Sequence, residues 1–258
     1  MTAVDDYRNA LRGLDDPEPF LLEHSGLPGP RGNIELAQAM ADVGTRSRFE
    51  RFLSFSPERA PVGSRGEFLA FCAAVGFGRL AAEGDARVLV TLRGLASDPR
   101  WRVREGVAMG LQRLGASDMG ALLDEMREWA GGNVFEQRAA AAALCEPALL
   151  GRESDAREAL AILDSITEDL SRSSNRRSEG FRALRKGLAY CWSVAVAAAP
   201  DAGRPLMERW MRSDDPDIRW VMQKNLTKKR LSAAGVDWVA SWSSRLTGGS
   251  RSTGSTRS

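Results

Sequence analysis

Apolar residues recur along this chain at helical rather than strand spacing. The stretch from Arg100 to Leu114 shows it most clearly: Val103, Val107, Leu111 and Leu114 fall on one face of a helix. Asp98-Pro99 ahead of it reads as an N-cap followed by proline at the first helical position, and Gly115 behind it as a stop. The design returns at Ser213-Asp214-Asp215-Pro216, which opens a segment with Ile218, Met222 and Leu226 in a stripe. Asn133 to Cys145 begins with a capping Asn and runs into an alanine-rich face, and Phe181 to Ala199 is a further long helix. Second helical stretches follow at Asp118 to Trp129, Ser154 to Leu170, Asp201 to Met211 and Val236 to Trp242. Upstream, Glu67 to Leu80 and Ala86 to Leu95 form another hairpin. Shorter helices are predicted at Val4 to Leu14, Pro19 to His24, Ile34 to Val43 and Arg46 to Phe55. No alternating Val/Ile/Thr run is bounded by Asn-Gly or Asp-Gly, so no strand is predicted.

The fold class is therefore all-α, read as helical hairpins joined by short turns and stacked into an α-α superhelix. Arginines recur at corresponding first-helix positions, Arg104, Arg138, Arg182 and Arg219, at spacings of about 34, 44 and 37 residues, near the range for two-helix repeats. Three regions are expected: a helical cap and linker at 1–63, with Pro and Gly in Ser56 to Ser64; a repeat array at 64–246; and a Gly/Ser/Arg tail at 247–258 with little to bury, expected to be disordered.

The segment Ser97-Asp98-Pro99-Arg100-Trp101-Arg102-Val103-Arg104, followed by Val107 and Ala108, resembles a HEAT repeat: an Asp, then Val-Arg, then small apolar residues. Asp214-Asp215-Pro216-Asp217-Ile218-Arg219 is similar and slightly shorter. Asn133 to Ala140 looks like a third copy, with Gln137 where Val is usual. The resemblance covers roughly residues 65 to 245 and implies an armadillo-like α-solenoid. It leaves function open, because such arrays serve many partners. One enzymatic subgroup, the HEAT-like-repeat DNA glycosylases, removes alkylated bases in DNA repair. Asn133 to Ala140 is close to their Asn-aromatic-x-x-Arg-Arg-Ala pattern, and Ile218-Arg219 in a late helix, followed by Val236 to Trp238, is similar to theirs. Their catalytic carboxylate lies one helical turn after a tryptophan. Trp101 and Glu105 have that spacing, with Glu where those enzymes have Asp, and Lys224 falls where they have a late-helix Trp.

Trp101 and Glu105 point away from the Val103/Val107/Leu111 stripe. An aromatic beside a carboxylate suits stacking on a base and stabilising positive charge on a sugar; packing of Trp101 against a neighbouring repeat is the structural alternative. The formal charge of the whole chain is only +2, so a nucleic-acid reading has to come from charge distribution. Two clusters supply it. Arg172, Arg176, Arg177, Arg182, Arg185 and Lys186 are interrupted only by Glu179; Arg219, Lys224, Lys228, Lys229 and Arg230 follow Asp217, with Trp220 interleaved. Basic residues with an aromatic suit phosphate contact plus stacking, whereas a solvated face is the plain reading of a charge run. The row Arg104, Arg138, Arg182, Arg219 reads either as a phosphate grip or as a ladder of internal ion pairs. Arg245, Arg251 and Arg257 add weak attraction.

The single histidine, His24, sits at a predicted helix end; it argues against most zinc and iron sites and against histidine-based triads. No phosphate-loop, dinucleotide or HExxH motif is present, and no cofactor or metal is expected. Cys72, Cys145 and Cys191 lie far apart in apolar surroundings and read as buried free thiols in a reducing cytoplasm. No apolar run approaches the roughly 18 residues of a membrane span, and the N-terminus does not read as a signal peptide. Three functions stay open: a noncatalytic nucleic-acid binder, which the clusters put first; a protein-interaction scaffold, with either partner on the concave face; and a glycosylase with Glu105 as its catalytic carboxylate.

Overall fold

The computed structural model describes residues 2–248, and these form fourteen α-helices and one 3-10 turn, with no strand. The end of the tail, from residue 249, including Arg251 and Arg257, lies outside the described residues. No described helix is long and apolar enough to cross a membrane. The chain divides into two compact units, 1–122 and 123–258.

The first unit carries α1 (Ala3–Arg12), α2 (Glu18–His24), α3 (Ile34–Val43), α4 (Arg46–Leu53), α5 (Glu67–Ala82), α6 (Val88–Leu95) and α7 (Trp101–Ser117). Its centre is α5, buried without interruption from Glu67 to Gly78. A helix apolar all round needs neighbours all round, and α5 packs against α3, α4, α6 and α7. The approach to α7 is closest at Gly78 and Gly110, where a Cβ on Gly78 would stand 2.1 Å from the Gly110 Cα; only hydrogen fits between the two backbones. The stripe Val103, Val107, Leu111 and Leu114 is buried, as its spacing predicts.

Two expected boundaries of α7 differ. Its N-cap is Arg100, not Asp98. The Asp98 carboxylate instead accepts the Arg100 backbone N–H at 2.8 Å and its guanidinium at 2.9 and 2.7 Å. Gly115 does not stop the helix, which runs on to Ser117; Gly115 is buried, and no water competes there for its backbone groups. The Pro/Gly-containing stretch after α4 is tied down, because Arg100 Nη1 donates to Phe55 O at 2.6 Å and Ala60 O at 3.3 Å. Residues 1–63 thus belong to the same compact unit as α5 to α7.

The helix α8 (Met119–Ala130) spans the division. The second unit continues with α9 (Val134–Leu144), α10 (Glu153–Arg172), α11 (Glu179–Ala198), α12 (Pro200–Met211), α13 (Pro216–Leu226), the 3-10 turn Lys229–Ala234 and α14 (Val236–Gly248). Its centre is α11, which packs against α9, α10, α12, α13 and the 3-10 turn. Trp192 is wholly buried, and its Nε1 donates to Thr167 Oγ1 at 3.0 Å. Asn133 and Asp215 cap α9 and α13 through their side chains, as the sequence predicts. Gln137, standing where an apolar residue is usual, is buried yet satisfied: its amide donates to Ala130 O at 3.0 Å and Asp169 Oδ2 at 2.9 Å.

All three cysteines are buried and free. Burial pushes the Cys72 and Cys145 thiols up from the ordinary range, the latter also through the neighbouring Cys191. Cys191 Sγ and the Cys145 backbone N–H share one acceptor, Ala141 O, at 3.3 and 3.1 Å. Since only an exposed thiolate reacts quickly, a thiol reagent at pH 8 is expected to leave all three unlabelled in the native chain and to label all three in denaturant. Fast labelling of Cys145 or Cys191 in the native state would contradict this packing.

Candidate nucleic-acid interface

The side chains singled out in the sequence divide between the two units. In the first, Trp101 opens α7 and is 45% exposed, and Glu105 is exposed one turn later. The basic run around them turns inward. Arg100, Arg102 and Arg104 are all buried. Arg102 Nη1 pairs with Glu67 Oε2 at 3.1 Å, its Nη2 donates to Gly29 O at 2.7 Å, and its guanidinium carbon lies 4.3 Å from the Trp101 ring centroid. Arg104 Nη1 donates to the carbonyls of Asp98 at 2.7 Å and Pro99 at 3.1 Å. These cations hold the start of α7 in place and leave Trp101 and Glu105 as its outward face.

In the second unit, Arg138 of α9 is half-buried and its stem lies beside Gly187 of α11. Arg177, Arg182 and Lys186 are exposed. Arg176 and Arg185 are paired with acids. Arg176 Nη1 donates to Asp215 Oδ1 and Asp217 Oδ2, each at 2.9 Å, and its Nη2 to Asp215 Oδ2 at 2.6 Å and Ser171 O at 2.8 Å. Arg185 also bonds Asp217 and lies 4.2 Å over the Trp220 ring. A cation run that looks nearly uninterrupted in sequence is therefore partly neutralised by two carboxylates at the start of α13, which the fold brings to it.

Burial pushes the Asp215 carboxyl up, but hydrogen bonds from Arg176 and from the backbone N–H groups of Ile218 and Asp217, with the Arg176 charge, outweigh it and leave it below the usual carboxylate range. A depressed folded value means stability that is present above the unfolded value near pH ~3.9 and lost as pH falls through the folded one. Asp215→Asn keeps a capping side chain but removes the charge. It is expected to lower stability by about 1–2 kcal/mol at neutral pH. The gap in urea midpoint from the parent chain should close below about pH 4; a gap unchanged down to pH 2 would refute the ion-pair account.

The end of α13 is different. A buried Asn225 fixes this end of α13 on α11: its Oδ1 accepts Ser193 N–H at 2.8 Å, and its Nδ2 donates to Leu188 O at 2.9 Å and Val221 O at 2.8 Å. Beyond it, Leu231 and Ala234 are wholly buried and pin the 3-10 turn. Between these anchors Lys228 and Arg230 stay half-buried and Lys229 exposed, with exposed Lys224 one turn before. Cations are favoured here by the negative end of the helix dipole. None of these four cations forms an ion pair among the described residues. Their neighbours are aromatic: Lys224 lies 5.8 Å from the Trp220 ring, and Arg230 and Lys228 lie 4.5 and 6.0 Å from Tyr190, which is 39% exposed.

Two clefts meet at Thr227. The larger, about 860 Å³, is lined by Lys228, Lys229 and Arg230 and by apolar Leu150, Val194 and Ala197. The smaller, about 250 Å³, is lined by Trp220, Gln223, Lys224 and Leu226. No carboxylate lines either. Sequence reasoning missed Tyr190 because it lies inside the apolar run Leu188 to Val196; the signal was its position off the buried Leu188/Cys191/Trp192 face. Comparison with family models, with curated proteins and with solved structures returned no match.

Proposed function

We propose that this chain is a noncatalytic binding protein of HEAT-like architecture, its hairpins stacked as a solenoid, which holds nucleic acid against the end of α13. One observation carries the reading: Lys228, Lys229 and Arg230 line one side of a largely apolar cleft, Lys224 and Trp220 line the cleft that adjoins it, Tyr190 lies beside Arg230, and no carboxylate lines either cleft. Cations the fold leaves unpaired suit phosphates, and neighbouring aromatic rings suit bases. The +2 formal charge fits a local rather than a global electrostatic footprint. Three unpaired thiols suit the reducing cytoplasm in which we place the chain.

Glycosylase chemistry of the kind the resemblance implies needs a carboxylate beside the sugar that becomes positively charged. Glu105, the carboxylate with the family-like spacing, is not among the residues lining the clefts at the α13 end, and neither is any other carboxylate. The test is a gel shift of the full chain with plain duplex, alkylated duplex and single strands, scored for binding and for base release. We expect binding that weakens steeply with salt and no base released. No retention on any of them at low salt would end the nucleic-acid reading and favour a protein partner. Base release that vanishes in Glu105→Gln would make the chain an enzyme.

A further inference from the structure

We infer that the larger cleft takes an unpaired base of a single-stranded nucleic acid, with the adjoining phosphates on Lys228, Lys229 and Arg230; the inference rests on the nucleic-acid reading above. The lining is divided by chemistry. Its cations come from one segment, the turn after α13, while α11 and the α9–α10 connection contribute apolar side chains such as Val194, Ala197 and Leu150. A duplex keeps its base faces stacked inside and offers such a cleft a charged sugar-phosphate exterior, and desolvating a phosphate against apolar side chains is unfavourable. An unpaired base has two apolar faces and carries its phosphates at one edge, which matches the division.

Three further observations agree. The cleft is open, and its volume of about 860 Å³ has room for a base. Arg230 has no carboxylate partner, and its Nη1 is shielded from water without an acceptor. The fold leaves that charge uncompensated, and a phosphate on its other N–H groups would compensate it. The smaller cleft shares Thr227 with the larger and presents Trp220 and Lys224, again one ring and one cation. Together the two clefts form a track on which neighbouring nucleotides lie on either side of Thr227.

The experiment is fluorescence anisotropy of the full chain with labelled probes of about twelve nucleotides, within the length that single-strand sites cover. The probes are a mixed-sequence single strand in DNA and in RNA form, the matching DNA duplex, a strand of abasic units with equal charge, and polyglutamate. The single strand is expected to bind about tenfold or more tighter than the duplex and the abasic strand, the gain of one stacked base. The DNA and RNA arms identify which sugar is preferred. Filling the cleft without changing charge, by Ala197→Leu with Ala233→Leu, should erase that preference and leave duplex binding within about twofold. Ala233 is exposed, so Ala233→Leu alone serves as the check should the pair of substitutions disturb folding. Equal affinity for strand, duplex and abasic strand overturns the inference while the nucleic-acid reading stands. Binding of polyglutamate alone, or of nothing at 50 mM salt, overturns both.

Discussion

Replacing Lys228, Lys229 and Arg230 together with glutamine is expected to weaken binding to single-stranded nucleic acid by roughly a hundredfold at 0.1 M salt. The size follows from counterion release. Each phosphate neutralised on a single strand contributes about −0.7 to the slope of log affinity against log salt. Leaving three phosphates without their cations flattens that slope by about 2, which at 0.1 M relative to 1 M is about two decades of affinity. Stability should barely change, because none of the three is ion-paired and the anchors of the turn, Leu231 and Ala234, are untouched. Titrations at several salt concentrations check both numbers at once. An unchanged slope would show that these cations touch no phosphate. By contrast Arg176→Gln should cost stability more than affinity, since Arg176 is held by Asp215 and Asp217.

That contrast shows which information the chain displays locally. Positions of helices were legible, because a stripe such as Ile218/Met222/Leu226 and a cap such as Asp215-Pro216 are signals within one turn of each other; Ile34 to Val43 was legible to the residue. The ends of α7 were not, because Asp98 serves the Arg100 guanidinium rather than the helix, and Gly115 sits where packing carries the helix past it. The site divided in the same way. The basic run after Asp217 was legible, since no acid within it interrupts Lys224 to Arg230. The neutralisation of Arg176 was hidden, because Asp215 is 39 residues away along the chain and only the packing of α13 on α11 brings it in. Tyr190, exposed beside Arg230, and the apolar lining were hidden for a related reason: an apolar or aromatic residue at the surface looks, in sequence, like one lining a core.

The largest effect on stability is expected in the first unit, at Arg102. Its side chain is 9% exposed and that of its partner Glu67 not at all. Arg102→Met keeps the bulk of the stem but strands a carboxylate whose remaining contact is the Gly63 N–H at 2.7 Å. Breaking a buried ion pair from one side costs about 3–5 kcal/mol, because the surviving charge is left buried without a counter-charge. Removing both charges should cost far less, so Glu67→Gln combined with Arg102→Met is expected to recover most of the loss. Urea midpoints of the two single variants and the double complete the cycle; a loss below about 1 kcal/mol for Arg102→Met would show that Glu67 finds another partner. The same substitution bears on function. Arg102 lies over the Trp101 ring and so fixes the only large exposed aromatic of α7. If Trp101 stacks on a base, Arg102→Met should weaken binding beyond what the unfolded fraction explains. If the α13 end alone binds, the folded fraction should retain full affinity. Arg102 is thereby a cation kept for the core and Lys229 one left for a ligand, a distinction set by where an acid such as Glu67 lies and not by the cations themselves.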